Sequence, residues 1–342
     1  MKKVLVVIFS LFFFTALASS PAPAAPVSAA ADFYKGKTIK ILIGFSPGNN
    51  TDVMARIFAR YLAKQTNTTV VVSNNAGGGG LVARNEMYTT AKPDGLTIMF
   101  DPTGALWPSW VLNQEGVTYD ISKFEYLAGI DGAMMGLMVS AKGPYRTVED
   151  LRNSKTRLKF GASGIASLPC VSVLNTIDAL GLNAMMAPGY KSATEYATAI
   201  AQGELDGGSA GLETSLRFQE GGTVKVILYL WYERDKNFPD VPSLSDFIKI
   251  PDKSMNLMKA LSNNGKLFFA PPNTPTDRVQ YLRNSLAAVF ADKNFQADIV
   301  KLNQYWPGVV SPEDLKKLAL EASRGKADSV VYYKSLVAKY VK

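Results

Sequence analysis

A repeated alternation of short apolar strands with amphipathic helices is the feature that most constrains the fold of this chain. Residues 38–45 are β-branched and apolar, as in a buried parallel strand, and a polar loop at 46–52 follows them. Apolar residues from Met54 to Leu62 then recur on one face of a helix. A strand at 69–73, a helix at 81–91 and a strand at 96–100 continue the alternation. This order predicts parallel strands joined by right-handed crossovers.

A second unit of the same kind follows Gly132 and is itself followed by helices. Its predicted strands are residues 136–140, 157–160, 184–187, 204–209 and 224–230. One predicted helix begins with a capping pattern at 147–150, and another spans 171–180. A third begins with a capping box at 192–195 and ends at Gln202. The tail predicts a helix at 276–291 and a long amphipathic helix from Ser311, with proline in its first turn.

The N-terminal segment is typical of an export signal. Lys2 and Lys3 precede an apolar run at 4–18, which is too short for a comfortable membrane span, and small residues extend to Ala31. An uncleaved anchor is the alternative, but no basic stop-transfer cluster follows. We therefore predict a signal peptide at 1–31 cleaved near Ala31, a first lobe at 32–132, an inserted second lobe at 133–250, and the rest of the first lobe at 251–342, with two crossing segments between the lobes.

Charge and composition narrow the functional classes. The formal net charge is +8, but the basic residues are dispersed, which favours an anionic small solute over nucleic acid. The chain has no histidine, so Ser-His and Cys-His catalysis are excluded, and the single cysteine, Cys170, cannot form an intramolecular disulfide. The acidic residues lack metal-ligand spacing. We expect no catalytic residues, no metal and no cofactor.

Four loops between a strand and a helix could hold an anion, because helix N-termini offer free N–H groups and a favourable dipole. Two belong to the first unit (residues 46–52 and 76–80) and two to the second (163–167 and 189–192). In the first loop we expect Asn50, Thr51 or Asp52 to cap the helix. The predicted ligand-binding residues are Phe45, Ser46, Pro47, Gly48, Asn49, Asn50, Thr51, Asp52, Gly78, Thr103, Ser163, Gly164, Ala166, Ser167, Tyr190, Lys191 and Ser209.

These loops resemble those of the Bug family, the periplasmic solute receptors of tripartite tricarboxylate transporters. The strongest match is the strand and loop at 41–52, which is similar to the family pattern of strand, F-x-P-G-G-x-T-D and helix. The segments 74–80, 93–95, 161–164, 189–192, 239–243 and 268–271 match in the same order. The resemblance covers nearly the whole mature chain.

The resemblance implies a two-lobed α/β fold of the periplasmic-binding-protein type (type II-like), with a mostly parallel sheet in each lobe and the ligand in the cleft between them. It also implies a periplasmic protein that closes on an organic acid and delivers it to membrane permease subunits. The sequence departs from the family at Asn49 and Asn50, where the family has glycines, and at 168–170, where many members carry a serine-histidine pair. Because the segment 102–110 is rich in aromatic residues, the ligand could be an aromatic acid as well as a dicarboxylic acid.

Three functions remain compatible with the sequence: a transport receptor, which we expect to be a monomer, a solute sensor that signals to a membrane partner, and an exported enzyme without histidine chemistry. The receptor and the sensor share one fold and one cleft. The enzyme would convert its bound acid, whereas a receptor would release it unchanged.

Overall fold

The computed structural model describes residues 27–132, 134–236, 238–260, 265–303 and 306–341. Most of the predicted export signal, residues 1–26, lies outside this range. Residues 27–31 belong to a helix that ends at Tyr34, and Ala30 and Tyr34 are fully buried. Within the described residues, no helix has the length and apolar character needed to cross a membrane.

The described residues contain eleven strands, which form two sheets of six and five strands. The first sheet has the order β11-β4-β10-β3-β1-β2 and the second the order β7-β6-β8-β5-β9. In chain order the strands are β1 (Thr38–Ile43), β2 (Thr69–Asn74), β3 (Thr97–Pro102), β4 (Glu125–Ile130), β5 (Met135–Ser140), β6 (Leu158–Ala162), β7 (Ala184–Pro188), β8 (Gly207–Gly211), β9 (Val224–Tyr229), β10 (Lys266–Ala270) and β11 (Val309–Val310).

Most strands of each sheet run in one direction, as predicted, but both sheets are mixed because β10 and β11 in the first and β5 in the second run the opposite way. β1 is parallel to β2 and β3, and β6 is parallel to β7 and β8. β10 is antiparallel to β3 and β4, and β5 is antiparallel to β8 and β9. β5 and β10 are the first strands formed after the chain has changed lobes. Among the described residues, neither strand follows a βαβ crossover within its own sheet, so the handedness rule for such units does not fix its direction.

In the part of the chain that the structure describes, thirteen α-helices surround the sheets. They are α1 (Val27–Tyr34), α2 (Asn50–Thr66), α3 (Leu81–Thr89), α4 (Thr103–Val111), α5 (Val148–Arg152), α6 (Leu168–Ala179), α7 (Ala193–Gln202), α8 (Leu212–Glu220), α9 (Asp252–Ala260), α10 (Thr276–Ala291), α11 (Lys293–Asn303), α12 (Pro312–Arg324) and α13 (Lys326–Tyr340). α10 has the predicted bounds. The single long C-terminal helix that the sequence predicted is two helices, α12 and α13, which meet at Gly325.

Along the described ranges, the chain passes between the two sheets three times. The first crossing joins β4 to β5, and the second runs from β9 to β10 and includes α9. The third follows β11: α12 contacts β4 of the first sheet, whereas α13 contacts α6, α9 and β7, and Val341 pairs with Met186 of β7. The third crossing was not predicted. It brings the last helix against the second lobe.

Each lobe has a packed interior that fixes the position of its loops. In the first lobe, buried phenylalanines join the sheet to helices on one face: Phe58 lies 4.8 Å from Phe268 and 4.6 Å from Phe295, measured between ring centroids. In the second lobe, α6 is buried along most of its length between the sheet and α13. Close packing of this kind holds the carboxyl ends of the strands in place.

Candidate functional site

A cavity of about 1080 Å³ opens between the two lobes. From the first lobe it is lined by Phe45 after β1, by Gly78 and Gly79 after β2, and by the start and end of α4. From the second lobe it is lined by residues 163–169 after β6, 191–193 after β7, and 210, 211 and 214 around the end of β8. The carboxyl ends of strands from both sheets therefore face one cavity, the position at which open α/β sheets bind ligands.

The loop after β6 forms the largest part of the second lobe's wall. Ser167 is the N-cap of α6: its Oγ accepts a hydrogen bond from Cys170 N at 3.4 Å and donates one to Gly164 O at 2.6 Å. The Tyr333 hydroxyl on α13 donates to Ile165 O, which ties the loop to the C-terminal helix. Ser163, Gly164, Ala166 and Ser167, all predicted site residues, line the cavity.

Another part of this wall is the start of α7. Ser192 caps the helix by accepting from Glu195 N at 3.3 Å, as predicted, but the box is not reciprocal, because Glu195 accepts from Lys191 N at 2.6 Å instead of from Ser192 N. Lys191 lines the cavity. Tyr190 lies behind the wall, edge-on to Tyr196 with ring centroids 6.1 Å apart, and burial raises the pKa of its hydroxyl.

The charged side chains that line the cavity are all positive among the described residues. Lys191 and Lys334 line the cavity, and none of the described lining residues is acidic. The first turns of α4, α6, α7 and α8 also reach the lining, and the N-termini of helices carry a partial positive charge. The electrostatic field of the cavity therefore favours an anion.

The loop after β1, which carries the most recognisable motif, is braced from within. Asp52 is 2% exposed. Its carboxylate accepts from Gly48 N at 2.9 Å, from Arg56 Nε at 3.0 Å and from Asn74 Nδ2 at 2.9 Å. Burial raises the pKa of Asp52, but these hydrogen bonds outweigh burial and lower it to about 2. The Asp52 side chain is therefore committed to holding the loop.

The helix cap in this loop differs from the prediction. Asn49, and not Asn50, Thr51 or Asp52, is the N-cap of α2, and its Oδ1 accepts from Asp52 N at 2.9 Å. Of the predicted residues at 45–52, Phe45 lines the large cavity and Asn50 lines a separate polar pocket of about 210 Å³. That pocket also holds Glu213, Arg217 and Lys266. Neither pocket is lined by Ser46, Pro47, Gly48, Asn49, Thr51 or Asp52.

Two other predicted residues are held within the protein. Thr103 is 1% exposed, and its hydroxyl donates to Gly265 O at 2.9 Å. Ser209 is fully buried, and its hydroxyl donates to Pro169 O at 3.1 Å. The structure thus places seven of the seventeen predicted residues in the lining: Phe45, Gly78, Ser163, Gly164, Ala166, Ser167 and Lys191.

A buried ion pair lies next to the glycine-rich loop at residues 77–80. Arg84 and Asp101 are 1% and 0% exposed, and Arg84 Nε lies 2.7 Å from Asp101 Oδ2. A Cβ atom on Gly80 would come within 2.6 Å of Arg84 Nη2, so only glycine fits over the guanidinium. The pair therefore fixes the backbone next to Gly78 and Gly79. Sequence reasoning missed it, because the two residues lie on different elements.

Lining residues from α4 and α13 were also missed. Ser109, Leu112 and Gln114 belong to or follow α4, and Tyr333, Lys334, Val337 and Ala338 belong to α13. The tryptophans of the aromatic segment 102–110 lie outside the lining: Trp107 is fully buried, and the ammonium of Lys326 lies 3.7 Å from the ring centroid of Trp110. Nothing in the local pattern of α13 indicates that it returns to the cleft.

Two α/β lobes with an anion-favouring cavity between them define a two-lobed solute-binding protein. Comparison with known families makes the assignment specific. Residues 54–330 match the model of the tripartite tricarboxylate transporter family receptor. The chain therefore belongs to this family of periplasmic solute-binding proteins, which confirms the resemblance and the fold class expected from the sequence.

Individual relatives are distant but similar over most of their length. A UPF0065 protein of Bordetella bronchiseptica is 24% identical over 269 residues, covering 78% of this chain and 76% of that protein. Among solved structures, a TctC solute-binding protein from Polaromonas, without ligand, has a TM-score of 0.69 at 20% identity and covers 90% of this chain and 99% of its own. MatC of Rhodopseudomonas palustris with bound malate has a TM-score of 0.67 at 20% identity, covering 86% and 99%.

Proposed function

We propose that this protein captures a small carboxylated solute in the cleft between its lobes and delivers it to the membrane permease of a tripartite transporter. The observation that carries the proposal is the lining of the cavity, which combines two lysines, four helix starts and no acidic side chain among its described residues. Family membership supports the delivery step, and the malate held by MatC supports the ligand class.

We propose that Phe45, Gly78, Ser163, Gly164, Ala166, Ser167 and Lys191 contact the solute. Their common feature is that they line the cavity from both lobes. The other predicted residues would act indirectly: Asp52 and Asn49 by fixing the loop after β1, and Ser209 by fixing Pro169 behind the α6 wall. Backbone N–H groups would then supply much of the binding, since helix starts bind carboxylates well.

Binding would proceed by closure of the lobes, with the closed form selected by the permease. We keep the predicted boundaries near residues 132 and 250 for the inserted lobe. The protein would act as a monomer in the periplasm after cleavage near Ala31, a cut that removes Ala30 and the first part of α1 and retains the buried Tyr34. Sequencing the N-terminus of the secreted protein would test the cleavage site, and small-angle scattering with and without ligand would test closure.

We propose that the bound solute is released unchanged. The chain has no histidine, and burial raises the pKa of its single thiol, Cys170, to about 12, so the thiol stays protonated at neutral pH. Incubating stoichiometric protein with its ligand and recovering the ligand intact would agree with this role. A converted product would make the protein an enzyme.

A thermal-shift screen against mono-, di- and tricarboxylates, aromatic acids, amino acids and neutral sugars tests the proposal, because a ligand that binds only the folded state raises the midpoint. We expect shifts with carboxylates and none with sugars. Lys191→Ala should weaken carboxylate binding by about tenfold, the loss of roughly one charge-assisted contact. Lys249→Ala removes an exposed lysine outside the lining and is the matched control. Shifts with neutral compounds alone would contradict the proposal.

A further inference from the structure

The cavity has two kinds of wall. One consists of helix starts and small polar residues: Gly104 at the start of α4, Ser163 and Ser167 before α6, Ser192 before α7, and Gly211 before α8. These residues lie at the positive ends of helix dipoles. Together with Lys191, this end of the cavity favours one carboxylate.

The other kind of wall is apolar. It consists of Leu112 after α4, Ile165 in the loop before α6, and Val337 and Ala338 on α13. Leu112 and Val337 are half-buried, and Ile165 is 45% exposed, so apolar surface faces the open cavity. Covering such surface with an apolar ligand is favourable, at about 25 cal/mol per Å² removed from water.

The two kinds of wall are well separated along α4. Gly104 lies in its first turn and Leu112 just beyond its last, so eight residues at 1.5 Å of rise place them about 12 Å apart. A cavity near 1080 Å³ is also at the upper end of the usual range for ligand sites, about 300–1,000 Å³. The space therefore extends well past the donors that hold one carboxylate.

A second carboxylate would be poorly placed in the apolar part. Leu112 follows the C-terminal end of α4, and Val337 and Ala338 lie in the last turn of α13. The C-terminal ends of helices carry a partial negative charge, which repels an anion. Lys334 is the lining cation of α13, and like Lys191 it is exposed, so solvent and salt weaken the attraction of either lysine. The helix ends therefore make the main electrostatic difference between the two parts of the cavity.

We infer that this receptor prefers an amphipathic monocarboxylate, with one carboxylate at the helix starts and an apolar tail against Leu112, Ile165 and Val337. The inference rests on the proposed function and specifies its ligand class. An acid with a second carboxylate at the far end of its chain would place that charge against the apolar wall.

The test is a matched series of acids titrated calorimetrically into the wild-type protein. Butanoate, hexanoate and octanoate are paired with succinate, adipate and suberate, which have the same chain lengths and a second carboxylate. We expect the affinity of the monocarboxylates to rise by about fourfold for each buried methylene, as the transfer of a CH₂ group implies. Octanoate should bind at least about tenfold more tightly than suberate, because the second charge must be desolvated.

Two variants locate the tail. Val337→Asn should lower the affinity for octanoate by about tenfold and that for butanoate much less, since the short acid buries less of the apolar wall. Val331→Asn is the control on the same helix, at a side chain that is 71% exposed and outside the lining. Leu112→Asn tests the same wall from the other lobe if the Val337 variant does not fold. The titration of the six acids into the wild-type protein tests the inference even if neither variant folds.

The outcomes separate the inference from the proposed function. Rising affinity along the monocarboxylates, together with weaker suberate, supports both. Tighter binding of the dicarboxylates overturns the inference and leaves a carboxylate receptor. Absence of binding by all six acids overturns the inference and counts against the proposed function, which the wider screen of tricarboxylates and aromatic acids then decides.

Discussion

The loop after β1 and the loop after β6 occupy equivalent positions in the two lobes but are built differently. Residues 46–52 are held by Asp52, whose carboxylate binds the backbone of Gly48 and the side chains of Arg56 and Asn74. Residues 163–167 have one side-chain cap, Ser167, and a tether from Tyr333. Yet the second loop lines the cavity along its whole length, whereas the first adjoins it only through Phe45.

This difference separates the residues that identify the protein from those that face its solute. Buried hydrogen-bonded charges such as Asp52 tolerate few replacements, because loss of one partner leaves the others unsatisfied. An open loop such as 163–167 can vary with the ligand. The motif of the first loop is therefore a guide to the fold, and the second loop is a better guide to specificity.

The largest expected effect lies beneath the first lobe's glycine loop. Asp101→Asn leaves the Arg84 guanidinium buried without its counter-charge, and we expect a loss of about 3–5 kcal/mol in the free energy of unfolding. Urea denaturation measures it. Asp298→Asn breaks an ion pair to the exposed Arg60 and should cost no more than about 1 kcal/mol. An equal loss of unfolding free energy in both variants would show that burial does not determine how much these ion pairs stabilise the protein.

Asp52→Asn should destabilise the first loop by about 2 kcal/mol, because it weakens hydrogen bonds to a charged acceptor. The folded pKa of about 2 lies below the ordinary value of 3.8, so this stabilisation is present above pH 4 and is lost as the pH falls towards 2. Denaturation at pH 7, 4 and 3 should give a smaller difference between the two proteins as the pH falls. A constant difference would mean that ionisation of Asp52 contributes nothing.

A pair of glycine substitutions contrasts the two loops directly. Gly48 has φ +84°, which disfavours a β-branched residue, so Gly48→Val should cost about 1–2 kcal/mol of stability. Gly164 has open space around its Cβ position and no positive φ, so Gly164→Val should leave stability nearly unchanged and reduce affinity by filling the cavity. Thermal denaturation and titration with the preferred acid measure both quantities. The reverse pattern would show that the first loop contacts the solute.

The smallest effects concern the two helix caps. Asn49 accepts at 2.9 Å and Ser167 at 3.4 Å, so Asn49→Ala should cost about 1 kcal/mol of stability and Ser167→Ala about half of that. Only Ser167→Ala should also weaken binding, because Ser167 lines the cavity. If both variants bound solute as the wild type does, the Ser167 hydroxyl would have no part in recognition.

Local patterns in the sequence predicted the elements well and their assembly less well. The helix at 276–291, the cap at Thr147 and most strands follow from periodicity and capping, which act over a few residues. The antiparallel insertion of β10, the Arg84–Asp101 pair and the return of α13 to the cleft depend on partners far away in the chain. No local signal encodes them. For the same reason several lining residues of three predicted loops, among them Gly78, Ser163 and Lys191, were named from sequence, and those of α13 were not.

The three crossings have a mechanical consequence. Two connections define an axis about which two bodies can swing freely, but a third connection must deform whenever they swing. Here that third connection is the pair α12 and α13, joined at Gly325, with Val341 attached to the edge of the second sheet. We expect the angle between these two helices to set the widest opening of the protein. The travel of the lobes would then be limited at the C-terminus, far along the chain from the loops that meet the solute.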